Sequence, residues 1–276
     1  MEISVYRRFL YNWPAVFGAS FLCLVILMAI SADLLFPLDP FKMVGTPLSP
    51  PFGEFLLGTD VLGRDIAAGI VHGSRTSLLI GITATVAAVA AGIVVGAYGG
   101  FYGGWFDDVL MRITEFFQTI PAFLFAIVLI AILSPSMGSV IFAIAVVSWP
   151  PIARLVRAEF MTLREREFVQ AAVSLGMRDG VIIFREILPN AVSPVIVAGS
   201  LMVATAILVE SAFAFLGFGD SNAMSWGFMI GAGRTSLRDA WWVVTFPGLM
   251  IVFTVLSINL VGEGLNDALN PRLKAL

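Results

Sequence analysis

The sequence predicts an all-α membrane protein with six spanning helices and one polar loop between the fourth and the fifth. Three observations carry that expectation. Hydrophobic residues form 59% of the 276-residue chain and charged residues only 13%, whereas a soluble domain is roughly half apolar and a quarter charged. Five segments (9–32, 76–106, 116–153, 187–209 and 240–262) contain no Asp, Glu, Lys or Arg, and a span needs about 20 apolar residues. Six arginines, Arg154, Arg157, Arg164, Arg166, Arg178 and Arg185, gather in one island between the apolar segments. Only helices and closed barrels satisfy their backbone inside lipid, and these runs are too long and continuous for barrel strands.

The first apolar run follows Arg7 and Arg8. It is too long for a signal-peptide core, so it reads as a retained first helix over 13–36, after a cytoplasmic stretch 1–12. An outer segment 37–75 follows, with a short helix capped by Asp60 next to Thr59. The second helix is expected over 76–98. It carries Ala84, Ala88, Gly92 and Gly96 four residues apart, a pattern that lets another helix approach closely. Packing inside one bundle and a subunit or gate interface are both open uses of that stripe. The run 116–153 is too long for one span. The turn chemistry of Ser134-Pro135-Ser136-Met137-Gly138 divides it, giving helices over 108–133 and 138–158. Two further helices, 191–215 and 242–263, flank an outer loop 216–241. Trp241 and Trp242 fit an interfacial aromatic belt. The core 76–266 thus holds five helices and a cytoplasmic loop 159–189, and 267–276 is a tail.

Basic residues set the orientation. With a cytoplasmic N-terminus, eleven of the sixteen Lys and Arg residues fall on the cytoplasmic side, as the positive-inside bias requires. The polar island is then cytoplasmic. A net charge of −3 gives no case for nucleic acid. The single cysteine, Cys23, cannot form an internal disulfide, and the lone His72 has no companions for a metal site.

Inside the island, Phe168, Ala171, Ala172 and Leu175 fall at i, i+3, i+4 and i+7, and Phe160 and Leu163 extend that side. This is an amphipathic helix. Gly176 suits a left-handed cap at its end. Pro189 suits the first turn of the next helix. Periodicity alone leaves open a helix lying on the membrane surface and a helix docked on a partner.

The residues themselves resemble a known family. Gln170-Ala171-Ala172, three residues, Gly176 and then Leu188-Pro189 are similar to the Glu-Ala-Ala…Gly…Ile-x-Leu-Pro cytoplasmic loop of ABC importer permeases. Gln170 stands for the Glu, and Glu186 for the Ile. Leu57-Gly58-Thr59-Asp60-Val61-Leu62-Gly63-Arg64-Asp65 resembles an outer signature of the second permease subunit, DppC/OppC, of dipeptide, oligopeptide and nickel importers. So do the stretch from Asp107 through Met111-Arg112 to Pro121, with Glu115 where Asp is usual, and Glu210 to Gly219 followed by Ser225-Trp226-Gly227, with Met224 before it.

The resemblance implies a type I ABC importer permease fold, working by alternating access in the bacterial inner membrane with both termini cytoplasmic. It implies a homologous permease partner, two cytoplasmic ATPase subunits and an extracytoplasmic substrate-binding protein. It implies that Phe168, Gln170, Ala171, Ala172, Leu175, Gly176, Leu188 and Pro189 form the ATPase-coupling loop. The chain contains no Gly-x-x-x-x-Gly-Lys-Ser/Thr loop, so ATP and Mg²⁺ are expected on the ATPase subunits. It is expected to be a transport subunit with no catalytic or cofactor-binding residues.

Polar residues within spans are functional candidates by default. Glu115, Gln118, Glu210 and Asn259 are candidates for the pathway or gate, although Asn259 is equally suited to an interhelical hydrogen bond. Asp60, Arg64 and Asp65 are candidate contacts for the binding protein. Di- and oligopeptides are the expected substrate. Nickel or nickel-chelate import by the same architecture is the alternative. An ATP-independent secondary transporter fits less well, because the Ala-Ala…Gly…Leu-Pro loop would then have no purpose.

Overall fold

A computed structural model describes residues 9–269. Arg7, Arg8, Arg272, Lys274 and the ends they belong to lie outside the described residues. The chain is built from helices α1 (Trp13–Ile30), α2 (Ala32–Leu35), α3 (Ile66–Tyr102), α4 (Gly104–Thr119), α5 (Ala122–Leu133), α6 (Met137–Arg164), α7 (Glu167–Ser174), α8 (Asp179–Phe215), α9 (Trp226–Gly233) and α10 (Trp242–Leu269). Five of these are long and apolar enough to cross a membrane, and α4 with α5 form a sixth, broken span.

The first span is shorter than 13–36, because the helix is interrupted at Ser31. Asn12 caps it by accepting from the Ala15 amide at 3.2 Å. Gly18 lies directly against the Ser257 carbonyl, which seats α1 on α10.

The second span begins ten residues earlier than 76–98 suggests. Asp65 is its N-cap, accepting from the Ala67 amide at 2.8 Å. The polar residues His72, Ser74 and Arg75 interrupt the apolar run without interrupting the helix, because each finds a partner, Ser74 in its own helix and His72 and Arg75 in the segment 29–36. Ser74 is fully buried and donates to the Val71 carbonyl, and Arg75 donates to Ala29 O and to Asp33. At 1.5 Å per residue, its 37 residues reach about 55 Å, well beyond a hydrocarbon core of about 30 Å.

Ala84, Ala88, Gly92 and Gly96 are all buried. A side chain at Gly92 would meet Ile152 and Ala153, and one at Gly96 would meet Ala153, Val156 and the Arg157 amide. The small-residue stripe therefore serves close packing of α3 on α6 within this chain. Gly100 continues it against Arg157 and Phe160.

The expected continuous helix 108–133 is broken. α4 and α5 meet at 85°. Pro121 disfavours the helical conformation for the residue before it, and Ile120 is accordingly extended at φ −87°, ψ 130°. α6 starts with a capping box between Ser136 and Ser139. It runs six residues past 158, through Pro150 and Pro151, to Arg164.

The fifth span also starts far earlier than 191. One helix runs from Asp179 to Phe215, and within it Pro189 stands in the first turn of the α-helical segment Leu188–Phe215, the position expected for it. A π-helical stretch, Ile182–Ile187, precedes it. Proline removes one amide donor and crowds the preceding turn, and the wider turn gives that ring room. α8 packs on α3, α6, α9 and α10, completing the bundle.

The segment 37–65 folds as turns held to one another, without the expected short helix. Asp60 Oδ1 accepts from the amides of Leu62 and Arg64, both at 2.8 Å, and so closes a turn instead of capping a helix. Thr59 is fully buried; its hydroxyl accepts from the Ser49 amide and donates to Thr46 O. Trp242 Nε1 donates to the Thr59 carbonyl. Trp242 is thus a core residue fastening this segment, and only Trp241 is exposed as an interfacial anchor would be.

Candidate functional site

The island folds into α7 and the start of α8. Two residues hold α7 against its own chain: Val169 and Ala172 are buried among Val156, Phe160, Ile182, Ile183 and Ile187. Ala172 therefore does not belong to the outward face with Phe168, Ala171 and Leu175. The sequence pattern missed Val169, because a one-sided helix shows only that apolar residues share a face, not which edge of the face is covered. The exposed ridge is Phe168, Ala171 and Leu175, with Val173 beside it and Leu175 81% exposed.

Gly176 ends α7 at φ +69°. Its amide bonds to Val173 O and the Met177 amide bonds to Ala172 O, the paired bonds of a Schellman cap. Met177 packs in the same cluster as Ala172. Gln170 is exposed, and its Nε2 donates to the Arg164 carbonyl at 3.2 Å, tying α7 to the end of α6. Leu188 is half-buried and Pro189 exposed on α8. The loop is thus a rigid knuckle between two spans, with its apolar ridge uncovered.

A second arrangement lies just inside it. Arg157 on α6 donates through Nε and Nη2 to the two oxygens of Asp107 on α4, at 2.6 and 2.5 Å. Asp107 is 5% exposed. Bidentate, charge-assisted pairs of this kind fix orientation as well as distance. Arg164 also reaches across, Nη1 donating to Phe101 O at the end of α3. The Asp107–Arg157 pair joins residues 50 apart, so no local spacing announces it; the one sequence signal is the acidic pair Asp107-Asp108 after the apolar start of α4, and it does not say which of the two is buried.

Glu115 and Gln118 are exposed on α4, and Asn259 is exposed on α10, bonded to nothing in this chain among the described residues. Glu210 differs. It is 3% exposed, its Oε1 accepting from Ser225 Oγ at 2.7 Å and its Oε2 from Ser211 Oγ at 3.4 Å. Ser225 also caps α9, accepting from the Phe228 amide. The next residue, Trp226, is fully buried; its ring donates to Ile70 O and its main-chain amide donates to Ser77 Oγ. Glu210, a gate candidate by sequence, is enclosed by this chain and fastens α9 to α8.

Glu210→Ala would leave the buried Ser225 hydroxyl without its acceptor, while Ser211 keeps the Ile207 carbonyl at 2.8 Å. It is expected to cost about 1–3 kcal/mol, with Glu210→Gln costing less than half of that. Thermal unfolding of the assembled complex in detergent checks the order.

At that same end, Asp60, Arg64 and Asp65 border a small hollow against Met224, Phe228 and Met229. Arg64 is half-buried, its guanidinium 4.9 Å from the Phe41 ring centre. Asp65 also borders an open cleft of about 240 Å³ with Phe36, Asp39, Lys42 and Phe55.

Comparisons with known proteins place this geometry. Residues 58–275 match the model of the binding-protein-dependent transport system inner membrane component. Residues 4–51 match the N-terminal transmembrane domain of oligopeptide transport permease C. The chain is 40% identical over 274 residues to the dipeptide transport system permease protein DppC of Alkalihalophilus pseudofirmus, covering 99% of this chain and 90% of the relative. It is 38% identical over 277 residues to the di/tripeptide transport system permease protein DppC of Pseudomonas aeruginosa, covering 98% and 91%. Among solved structures, an inward-facing MetNI methionine ABC transporter superposes with a TM-score of 0.57 at 19% identity, over 71% of this chain and 93% of that one; this likeness concerns the fold. The chain is a multi-pass membrane subunit and not an enzyme, and it belongs to the binding-protein-dependent inner membrane component family of ABC importer permeases, in the DppC/OppC branch.

Proposed function

We propose that this chain is one of two homologous permease subunits of an ATP-driven importer of di- and oligopeptides in the bacterial inner membrane, with both termini cytoplasmic. The observation that carries the mechanism is the uncovered apolar ridge of α7 on a rigid stem. A ridge of Phe168, Ala171 and Leu175 at a polar end has the shape and chemistry to seat in a groove of a cytoplasmic ATPase. ATP and Mg²⁺ bind on the two ATPase subunits, since this chain has no phosphate-binding loop.

Closure of the ATPase pair displaces α7. The Schellman cap, the Gln170–Arg164 contact and the Asp107–Arg157 pair pass that displacement to α6, α3 and α4. Tightly packed elements move as bodies between discrete arrangements, which supports alternating access. Glu115, Gln118 and Asn259 are the pathway candidates that remain exposed. Asp60, Arg64 and Asp65, on the far end, are proposed as part of the surface that receives the binding protein.

Peptides are favoured over nickel because the relatives just described are named for dipeptide and di/tripeptide transport. The test is uptake by proteoliposomes holding this chain with its partner permease, ATPases and binding protein. Labelled dipeptide is expected to accumulate only with ATP inside the ATPase-facing compartment. Accumulation of Ni²⁺ without dipeptide would establish the nickel reading, and uptake without ATPase subunits would establish a secondary transporter.

A further inference from the structure

The surface of α4 divides into three faces. Asp107 and Thr114 are buried, with Leu110, Met111 and Phe117 half-buried beside them, against α3 and α6. Trp105, Val109, Ile113 and Phe116 are exposed and apolar, at intervals of four, four and three. Asp108, Arg112, Glu115 and Thr119 are exposed and polar, at intervals of four, three and four. Each set follows one side of a helix. An apolar exposed stripe beside a polar exposed stripe is equally the pattern of a helix lying flat on a membrane surface.

Contacts along the helix decide between the two. Asp107 meets Arg157, and ten residues later the Phe117 ring meets Trp149 at 5.3 Å. About 15 Å of α4 therefore advances along about 12 Å of α6, at 1.5 Å per residue. α4 runs nearly along the axis of a spanning helix and does not lie across it. Trp149 is close to the midpoint of the 28-residue α6, so α4 climbs from near the island end to mid-span. The polar stripe climbs with it.

Charged side chains at that depth face the bundle interior or a water-filled cavity. Among the described residues none covers the stripe: Arg112 and Glu115, 3.7 Å apart, keep side-chain exposures of 85% and 59%. At its upper end, Ile120 and Pro121 break the helix. Non-helical backbone at membrane depth is tolerated only where it lines a cavity or is buried in protein, and broken helices place polar backbone at transport sites.

We propose that Asp108, Arg112, Glu115 and Thr119 form one wall of a hydrated exit vestibule, running from the cytoplasm to the break at Ile120–Pro121, and that the break is its inner constriction. The stripe carries both signs of charge. That suits the passage of a zwitterionic peptide, whose amino and carboxylate ends find a weak partner at each step. This inference rests on the importer reading above and names the surface that the cargo passes.

The test uses the assembled importer in inside-out vesicles, with Cys23→Ser as the parent. Single cysteines replace Asp108, Arg112, Glu115 and Thr119 in one series, and Trp105, Val109, Ile113 and Phe116 in the other. A membrane-impermeant maleimide is added on the ATPase side. The polar series is expected to label at least about tenfold faster, because only a hydrated thiol ionises readily, and saturating dipeptide is expected to slow labelling at Glu115→Cys. Equal labelling of both series would mean that α4 lies on the surface. Absence of labelling in the polar series, with and without ATP, would mean that the stripe is a dry seam. Either result overturns the proposal. ATP-driven release of labelled dipeptide by the parent, from the same vesicles loaded in the lumen with dipeptide and binding protein, separates that outcome from a failure of the importer reading.

Discussion

Asp107→Ala is expected to lower the stability of the assembled permease by about 3–5 kcal/mol, the range found when one partner of a buried ion pair is removed. The Arg157 guanidinium would remain half-enclosed between α3, α4 and α6, its two charge-assisted bonds lost. It has little freedom to move to water, because its backbone is pressed against Gly96 and Gly100. Asp107→Asn keeps the shape and one acceptor and is expected to fall between wild type and Asp107→Ala. Exchanging the two residues is not expected to rescue the pair. A Cβ added at Gly99 would come 3.0 Å from the Asp107 carboxylate, so the space beside position 107 fits the shorter aspartate and not an arginine. Melting temperature in detergent and dipeptide uptake are the two readouts. A drop of less than about 1 kcal/mol, the worth of an exposed pair, would mean that the contact does not join α4 to α6.

The second large effect is expected at Leu175→Asp, alone or with Phe168→Asp. Uptake should fall at least about thirtyfold, which is roughly 2 kcal/mol, the loss expected of a binding hot spot. The protein itself should melt as wild type does, because Leu175 is 81% exposed and contributes little to the fold. ATP hydrolysis by the assembled complex should no longer respond to loaded binding protein. Ala172→Glu should also stop uptake, but by another route. It places a carboxylate among Phe160, Ile182 and Ile183, and burying an unpaired charge disrupts the knuckle itself. Gly176→Trp is milder than its size suggests. A Cβ there would meet nothing within 4 Å, so the local cost is the left-handed backbone at φ +69°, about 1–2 kcal/mol. Normal coupling in Leu175→Asp with Phe168→Asp would remove the docking ridge from the mechanism.

Much of this could be read from the residues in order. A bilayer imposes a length and a composition on each span, so the spans and the turn at 134–136 were visible as interruptions of charge-free sequence. The amphipathic loop was visible because its pattern is local: a one-sided helix, a capping glycine and a proline within twenty-two residues. The beginning of α3 was not. Ser74 and Arg75 look like the end of a loop until partners at Val71, Ala29 and Asp33 are seen to satisfy them.

The sequence by itself determined the class of the protein, its apolar segments and the place of the amphipathic polar loop, because each depends on hydropathy and spacing along the chain. Only the tertiary structure decided which side of α7 is covered, that Glu210 is a fastener, that Trp242 belongs to the core and that α4 meets α5 at 85°. The physical reason is the same in each case. Burial is a property of what arrives from elsewhere in the chain: Ile182 and Ile183 on Ala172, Ser225 on Glu210, Thr59 on Trp242, and Arg157 on Asp107. Periodicity reports only which residues share a face.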